Sequence, residues 1–285
     1  MSFVSPKTLL HRLGLRPKKS LGQHFLCHPH QAQRIVSALE LTGSETVVEI
    51  GAGLGALTVF LAPIAPKVLA LERDPALARF LEAELFPNTP QVQVLCQDVL
   101  GFDFLKLVRE VKGPAVLVGN LPYQITSPLL FKLLAEKAGW SRALLMVQQE
   151  VGQRLLANPG TKDYGVITVL LQYHFAMTRL FSLGAPDFYP PPQVASVVLR
   201  LVPREPELQA ADEALLARVV KAAFSHRRKT LNNTLAAQAP ALGLTREAVL
   251  ACLKDLDLDP TRRGETLSVP QFAALANCLQ SRRGG

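Results

Sequence analysis

Short apolar segments rich in β-branched residues alternate with segments of helical spacing from about residue 46 to residue 147. The alternation predicts five strands, at residues 46–50, 68–71, 92–95, 115–118 and 143–147. Single helices separate most of these strands, and a strand that follows a helical crossover pairs in parallel with its neighbour. We therefore expect an α/β fold built on a doubly wound, mostly parallel sheet.

The helical segments complete this pattern on both sides of a break near residue 203. In the first part we expect helices over 31–41, from Gly55 onwards, over 75–85 and over 127–137. The β-rich segments 164–175 and 195–202 predict antiparallel strands that close one edge of the sheet. After Pro203-Arg204-Glu205-Pro206 only helical periodicity remains, over 214–224, 229–237, 246–253 and 270–279. We divide the chain into a basic arm (1–28), an α/β domain (29–203) and a small all-α domain (204–285).

Positive charge is concentrated at the two ends of the chain, whose net charge is +8. Residues 1–34 contain six Lys and Arg and no acid, and residues 204–285 contain 12 basic and 9 acidic residues. Residues 35–203 are nearly neutral, with 13 basic and 14 acidic residues. This asymmetry favours binding of a phosphate backbone by the arm and the helical domain. A solvated basic surface and an organellar transit peptide over residues 1–20 are the alternatives.

The sequence also indicates the compartment. No apolar run approaches membrane-spanning length, and the N-terminus lacks the apolar core of a signal peptide. The cysteines lack CxxC spacing, so we expect reduced thiols at Cys27, Cys96, Cys252 and Cys278. We therefore expect a cytoplasmic protein without a membrane partner.

A glycine-rich turn follows the first predicted strand, where residues 49–55 read Glu-Ile-Gly-Ala-Gly-Leu-Gly. Gly51 and Gly53 let the backbone approach a ligand closely. Glu72 ends the second strand about 20 residues later, where an acid commonly accepts hydrogen bonds from ribose hydroxyls. The pair predicts a nucleoside site. Because Gly51-x-Gly53-x-x-Ala56 also satisfies the dinucleotide fingerprint, a nicotinamide enzyme remains an alternative here.

Polar residues also follow the third and fourth strands. Asp98 can accept a hydrogen bond from the exocyclic amine of an adenine, and Asn120-Leu121-Pro122-Tyr123 follows the fourth strand. Open α/β sheets bind ligands at the carboxyl ends of their strands, so these residues should meet there. The ordered set predicts a nucleoside-sized site beside a reaction centre, against the alternative of unrelated surface residues at strand ends.

The tetrapeptide suits methyl transfer to a base amine. That amine is a poor nucleophile because its lone pair is delocalised into the ring. The Asn120 side-chain oxygen and the Leu121 carbonyl can each accept one N–H, which favours a pyramidal nitrogen with a localised lone pair. Pro122 restricts Leu121 to extended conformations, and Tyr123 offers a face for a flipped base. An ordinary strand-ending turn is the alternative.

Three further segments extend the pattern. Residues 18–26 read Lys-Lys-Ser-Leu-Gly-Gln-His-Phe-Leu, residues 187–196 read Asp-Phe-Tyr-Pro-Pro-Pro-Gln-Val-Ala-Ser, and residues 224–231 read Phe-Ser-His-Arg-Arg-Lys-Thr-Leu. With the strand-end residues, they make the chain resemble the bacterial small-subunit (16S) ribosomal RNA adenine N6-dimethyltransferases, the kasugamycin-sensitivity methylases. The resemblance covers about residues 17–280. Gln193 and Ala195 depart from the Lys and Asp of many members, and some members have Asn in place of His24.

The resemblance implies a Rossmann-like class I S-adenosylmethionine methyltransferase fold. Its implied activity is dimethylation of two adjacent adenosines near the 3′ end of small-subunit ribosomal RNA. Implied cofactor contacts are His24 and Leu26 through their backbones, and Gly51, Gly53, Glu72, Asp98 and Asn120. Phe188 should pack against the target base opposite Tyr123, with a core aromatic as the alternative. Expected RNA contacts are Lys18, Lys19, Arg227, Arg228 and Lys229, with a solvated helix face as the alternative for the last three.

The expected partner is small-subunit ribosomal RNA within a 30S-type assembly particle, bound by a monomer that contributes to ribosome maturation. Two other functions remain open: a large-subunit methylase of the macrolide-resistance type, and an assembly or transcription factor that binds nucleic acid through the same fold. His24, Cys27, His28 and His30 lie close together in sequence. Because they lack a second ligand pair, we expect no metal site.

Overall fold

The computed structural model describes residues 3–111, 113–122 and 124–283. These residues pack into two units. The first combines the described residues up to Gly152 with Met177–Pro203, and the second combines Gln153–Ala176 with the described residues from Arg204 onwards. Gln153–Ala176 therefore packs in the second unit, although our division at residue 203 groups it with the α/β domain.

Seven strands form one sheet, and two short strands pair separately. The strands are β1 (Phe25–Leu26), β2 (Thr46–Ile50), β3 (Lys67–Glu72), β4 (Val92–Cys96), β5 (Ala115–Asn120), β6 (Trp140–Gln148), β7 (Phe175–Leu183), β8 (Phe188–Tyr189) and β9 (Ser196–Pro203). The large sheet has the order β4-β3-β2-β5-β6-β9-β7, and β1 pairs with β8. All pairs from β4 to β6 are parallel, whereas β9 is antiparallel to β6.

The chain reverses direction across the sheet between β2 and β5. It runs outward from β2 through β3 to β4, and then returns to place β5 on the other side of β2. The loops after β2 and β5 therefore diverge and leave a crevice at the carboxyl ends of the strands. This is the position at which doubly wound sheets bind ligands.

Twelve α-helices accompany the strands in the described part of the chain. In the first unit they are α1 (Pro6–Arg12), α2 (Pro29–Ser37), α3 (Thr58–Leu61), α4 (Pro75–Phe80), α5 (Phe104–Val111) and α6 (Thr126–Ala135). Helix α7 (Gln149–Leu155) leads into the second unit, which contains α8 (Val166–His174), α9 (Glu213–Ala223), α10 (Leu231–Thr234), α11 (Arg246–Asp255) and α12 (Val269–Ser281). No helix of the described residues has the length and apolar character needed to cross a bilayer.

Strand β5 is the centre of the core and approaches β2 closely at its carboxyl end. Val116, Leu117 and Val118 are all fully buried, as expected for a parallel strand covered on both faces. A Cβ atom on Gly119 would lie 2.6 Å from the Ile50 carbonyl oxygen, so only glycine fits without a shift of the backbone. The close contact sets Asn120 directly beside the turn that follows β2.

One sequence expectation needs correction in this region. The segment 164–175 was expected to be a strand but forms helix α8, and the unexpected edge strand is β7. Both faces of α8 are buried, at Thr168, Val169, Leu170, Leu171, Tyr173 and His174. An apolar run without an exposed face carries no periodicity that separates a helix from a strand. The antiparallel strand expected at 195–202 is confirmed as β9.

The cysteines also differ from expectation. Cys252 in α11 and Cys278 in α12 form a disulfide, with their Cα atoms 5.8 Å apart, whereas Cys27 and Cys96 are free. The expectation of four reduced thiols is therefore wrong for this pair. Sequence spacing gave no indication because the packing of α11 against α12 brings the two residues together.

Candidate active site

A cleft of about 790 Å³ lies at the carboxyl ends of β2, β3 and β5. Its lining includes the predicted residues Gly51, Gly53, Glu72, Asp98 and Asn120. An adjoining pocket of about 630 Å³ shares His24, Gly51, Gly53 and Asn120 with the cleft and adds Leu26 and Glu49. The fold thus brings together residues that are spread over about a hundred positions of the sequence.

The glycine-rich turn folds back on the end of β3. The N–H groups of Gly51 and Ala52 both donate to the Leu71 carbonyl, at 2.9 and 3.0 Å. Gly51 has a φ of 74° and Gly53 a φ of 58°, in the left-handed region that favours glycine. The turn therefore presents backbone rather than side chains to the cleft.

Glu72 is buried at the end of β3 and is held by two backbone groups. Its Oε2 accepts from the Gly53 N–H at 2.8 Å, and its Oε1 accepts from the Asp74 N–H at 2.7 Å. Burial raises the pKa of Glu72, although these hydrogen bonds oppose the effect. Each carboxylate oxygen has a further lone pair, so the group can still accept hydrogen bonds from two hydroxyls.

Glu49 is a second buried carboxyl, and it was not among the site residues predicted from the sequence. It lies in β2, is 2 % exposed, and accepts a hydrogen bond from the Thr58 hydroxyl at 2.6 Å. Burial raises its pKa to about 8, and the nearby Glu72 adds to the rise. The signal in the sequence was an acid inside an otherwise apolar strand, since such a group is costly to bury.

Asp98 lies at the rim of the cleft. Its Oδ1 accepts from the Leu100 N–H at 2.9 Å, and its Oδ2 lies 3.3 Å from Nη1 of Arg73. Its side chain is 35 % exposed, so the carboxylate can also reach a ligand in the cleft.

Asn120 ends β5 with its amide held in one orientation. Its Nδ2 donates to the His24 carbonyl at 2.8 Å, and the Leu121 N–H donates to the Met146 carbonyl at 3.0 Å. Among the described residues, none donates to the Asn120 side-chain oxygen or to the Leu121 carbonyl. The Asn120 oxygen belongs to a residue that lines the cleft and therefore remains for a ligand, whereas Leu121 is buried and lines neither cavity. Tyr123 lies outside the described residues.

The segment before β1 crosses the cleft and is anchored on Asp74. Nζ of Lys18 and Nε2 of Gln23 donate to the two carboxylate oxygens of Asp74, at 2.8 and 3.0 Å. Burial acts to raise the pKa of Asp74, but the hydrogen bonds from Lys18, Gln23 and the Ala76 N–H outweigh it and lower the pKa. Ser20, Leu21, Gly22 and Gln23 consequently form one wall of the cleft.

Known proteins are similar to this chain over nearly its whole length. The model of the ribosomal RNA adenine dimethylase family matches residues 14–280. The chain belongs to this family. The membership confirms the predicted resemblance and the enzyme class, an rRNA adenine dimethyltransferase, and the observed sheet confirms the fold class.

Individual relatives carry names of the same kind. The ribosomal RNA small subunit methyltransferase A of Myxococcus xanthus is 45% identical over 277 residues, which are 96% of this chain and 95% of that protein. The protein of the same name from Pelotomaculum thermopropionicum is 44% identical, over 95% of this chain and 94% of that protein.

Two crystal structures have similar folds. A dimethyladenosine transferase from Plasmodium falciparum gives a TM-score of 0.77 at 25% identity, covering 90% of this chain and 98% of that one. The 23S rRNA methyltransferase ErmE gives a TM-score of 0.68 at 27% identity, covering 90% of this chain and 99% of that one.

Phe188 is buried in this family member. It is 4 % exposed and packs in the hydrophobic core with Leu26, Ile35 and Val36. In β8 it pairs with Leu26 of β1. This position agrees with the alternative of a core aromatic.

The expected RNA contacts have different environments. Lys18 is bound to the buried Asp74, whereas Lys19 is exposed. Arg227, Arg228 and Lys229 lie in the turn between α9 and α10 and not on a helix face. Nε of Arg227 lies 3.3 Å from the Glu265 carboxylate. Within the described part of the chain, Arg228 and Lys229 have no acidic partner.

The histidine-rich segment after the cleft wall does not form a metal centre among the described residues, which contain no group of three or more His, Cys, Asp or Glu that could hold an ion. His28 and His30 instead stack on each other, with ring centroids 5.5 Å apart.

The raised pKa of Glu49 predicts a pH-dependent stability. A group whose pKa is about 8 in the folded protein, against a usual 4.5, binds its proton more tightly when folded. Stability should therefore fall as the pH rises from about 4.5 towards 8. Glu49→Gln keeps the Thr58 hydrogen bond without the ionisation. We expect it to stabilise the ligand-free protein by about 2–4 kcal/mol at pH 8 and by less than about 1 kcal/mol at pH 5. Guanidinium unfolding at both pH values measures this.

Glu45→Gln is the matched control. Partial burial acts to raise the pKa of Glu45, but hydrogen bonds from Arg142 and Thr42 lower it to about 2. The contribution of Glu45 is thus fully present at both pH values, and its removal should destabilise the protein about equally at each. An effect of Glu49→Gln that is equal at pH 5 and pH 8 would contradict the ionisation argument.

Proposed function

We propose that this protein transfers methyl groups from S-adenosylmethionine to N6 of two adjacent adenosines near the 3′ end of small-subunit ribosomal RNA. The observation that carries the proposal is the Asn120 side chain, which lines a nucleoside-sized cleft and whose amide nitrogen is held by the His24 carbonyl, so that its oxygen is available to a base amine. The names of the relatives from Myxococcus xanthus and Pelotomaculum thermopropionicum support the choice of the small subunit.

The residues of the cleft fit S-adenosylmethionine. Glu72 can accept hydrogen bonds from both ribose hydroxyls, and Asp98 can accept one from the adenine amine. The glycine turn leaves room beside them, and the backbones of His24 and Leu26 complete the proposed contacts. When bound, the cofactor supplies an electrophilic methyl group on a sulphonium.

The protein contributes alignment of the target base. Asn120 and Leu121 each accept one N–H of the amine, which concentrates its lone pair on the side that faces the cofactor. Alignment alone can account for a large part of a methyl-transfer barrier because the methyl group is already activated. The methylated nitrogen carries a positive charge and is strongly acidic, so its proton can pass to water. A general base is unnecessary, and the neutral Asn120 suffices.

The proposed biological setting is ribosome maturation in the cytoplasm, with a monomer acting on a 30S-type assembly particle. Lys19, Arg228 and Lys229 are the proposed phosphate contacts because they are exposed cations. Lys18 is proposed to act mainly on the wall of the cleft, since Asp74 already binds its ammonium group.

Two other functions can be separated by experiment. ErmE, whose name gives it 23S rRNA as substrate, shares the fold at 27% identity. A methylation map of both ribosomal RNAs distinguishes a large-subunit enzyme from a small-subunit one. A factor that acts by binding alone would still support ribosome maturation when Asn120 is replaced.

Asn120→Ala should lower methyl transfer by roughly 100-fold or more, because one of two preorganised acceptors is removed. Incubation with labelled S-adenosylmethionine and undermethylated small subunits, followed by mapping of dimethyladenosine, measures the activity. Cofactor binding, measured by calorimetry, should remain detectable. Asn88→Ala, at an exposed amide, is the control and should transfer methyl groups normally. Near-normal turnover by Asn120→Ala would refute the mechanism.

Phe188 can be tested with two substitutions that separate packing from stacking. Phe188→Ala should destabilise the protein by about 3–5 kcal/mol because it leaves a cavity in the core. Phe188→Leu fills much of that space but offers no aromatic face. If Phe188 stacks on the base, the Leu variant should keep most of its thermal stability and lose about 1–3 kcal/mol of substrate binding. A stable Leu variant with unchanged KM for the particle would assign the ring to the core alone.

The turn between α9 and α10 predicts a salt-dependent interaction. Reversal of both charges, in Arg228→Glu/Lys229→Glu, should weaken particle binding and reduce the slope of log K against log salt by about 1 for each phosphate that is no longer neutralised. Filter binding between low and moderate salt measures the slope. The control reverses two exposed lysines elsewhere in the second unit, in Lys162→Glu/Lys254→Glu. Equal slopes for the two double variants would show that the turn has no special role.

A further inference from the structure

His24 connects the catalytic amide to the segment that follows β8. Its Nδ1 lies 2.6 Å from the Pro190 carbonyl oxygen, and its own carbonyl accepts from Nδ2 of Asn120 at 2.8 Å. A carbonyl oxygen can only accept a hydrogen bond. Nδ1 of His24 therefore carries the ring proton and donates a hydrogen bond to the Pro190 carbonyl. One residue is thus bonded on both sides, through its side chain and through its backbone.

The side-chain bond is an anchor for the His24 peptide. Beyond His24, the β1–β8 pairing holds the chain through Phe25 opposite Tyr189 and Leu26 opposite Phe188. The imidazole extends this attachment by one residue, to the point where the carbonyl meets Asn120. If the imidazole were removed, the His24 peptide would lie beyond the last paired residue of the short ladder and would gain freedom to rotate.

The orientation of the Asn120 amide depends on that peptide. A carbonyl partner selects the NH₂ group of the amide, because a flipped amide would set two acceptor oxygens against each other. The Asn120 side-chain oxygen is therefore directed away from His24. A misplacement of about 1 Å in a reacting group can lower a rate by roughly 100-fold, so the anchor affects the reaction and not only the fold.

We infer that His24 is a positioning residue for methyl transfer, acting through Asn120. The imidazole holds the peptide in place, and the carbonyl of that peptide fixes the amide that receives the target amine. The inference rests on the proposed function and extends it, since the role of the side chain is distinct from the backbone contact proposed for the cofactor.

Asparagine offers a conservative replacement. Its Nδ2 is joined to Cα through the same number of bonds as Nδ1 of histidine, so His24→Asn can donate to the Pro190 carbonyl from nearly the same place. His24→Leu has a similar volume and no donor. His30→Leu is a matched control, because His30 is an exposed histidine six residues away that lies outside both cavities.

The experiment compares single-turnover methyl transfer to undermethylated small subunits with S-adenosylmethionine binding by calorimetry, in all variants. We expect His24→Leu to lower the rate by roughly 10- to 100-fold with at most about a threefold change in cofactor Kd. His24→Asn should restore most of the rate, and His30→Leu should match the wild type. Added to Asn120→Ala, His24→Leu should cause little further loss, because both substitutions remove the same function.

Three outcomes would overturn the inference while leaving the proposed function intact: a normal rate in His24→Leu, a rate loss that parallels weakened cofactor binding, or additive losses in the double variant. Circular dichroism confirms that each variant is folded. If the wild type itself produces no dimethyladenosine, the proposed function fails, and this inference fails with it.

Discussion

The close approach of Gly119 to the Ile50 carbonyl determines where the proposed reaction centre lies. Because β5 carries no side chain at this position, it approaches β2 more closely than any other residue would allow. The loops that follow the two strands then begin side by side, one with the glycine turn and the other with Asn120. The order of the strands makes this the reversal point of the sheet. The glycine turn and Asn120, the proposed cofactor and base contacts, are therefore neighbours because of one steric constraint between two buried strands.

A buried acid lies in each of the two cavities, Glu72 in the cleft and Glu49 in the adjoining pocket. Glu49 and Glu72 end or nearly end adjacent parallel strands, and both have raised pKa values because burial disfavours their charge. The protein satisfies them with a hydroxyl and with backbone N–H groups and not with Lys or Arg. Their unused acceptor capacity is available to a ligand that brings hydroxyls or positive charge. A Lys or Arg side chain in the same place would have occupied these acceptor positions.

Most of the sheet and the cleft could be predicted from the sequence because they depend on local patterns. Apolar runs at regular spacing located the parallel strands, and the residues after those strands share one edge by geometry. Helix α8 was missed because its buried faces carry no period, and the disulfide between Cys252 and Cys278 depends on the packing of helices distant in sequence. The bonds of His24 to Asn120 and Pro190 join residues about a hundred or more positions apart, which no local pattern encodes.

The hydrogen bonds from Lys18 and Gln23 to Asp74 give the N-terminal arm a structural role besides the RNA contact expected from its charge. Asp74 caps the N-terminus of α4 and accepts from the Ala76 N–H with the same oxygen that binds Lys18. A chain shortened by about twenty residues would therefore lose the only side-chain ammonium group that the described residues place on this carboxylate, which lies close to the buried Glu72. The arm is thus an integral part of the folded α/β unit. Its Lys18 neutralises the buried carboxylate of Asp74.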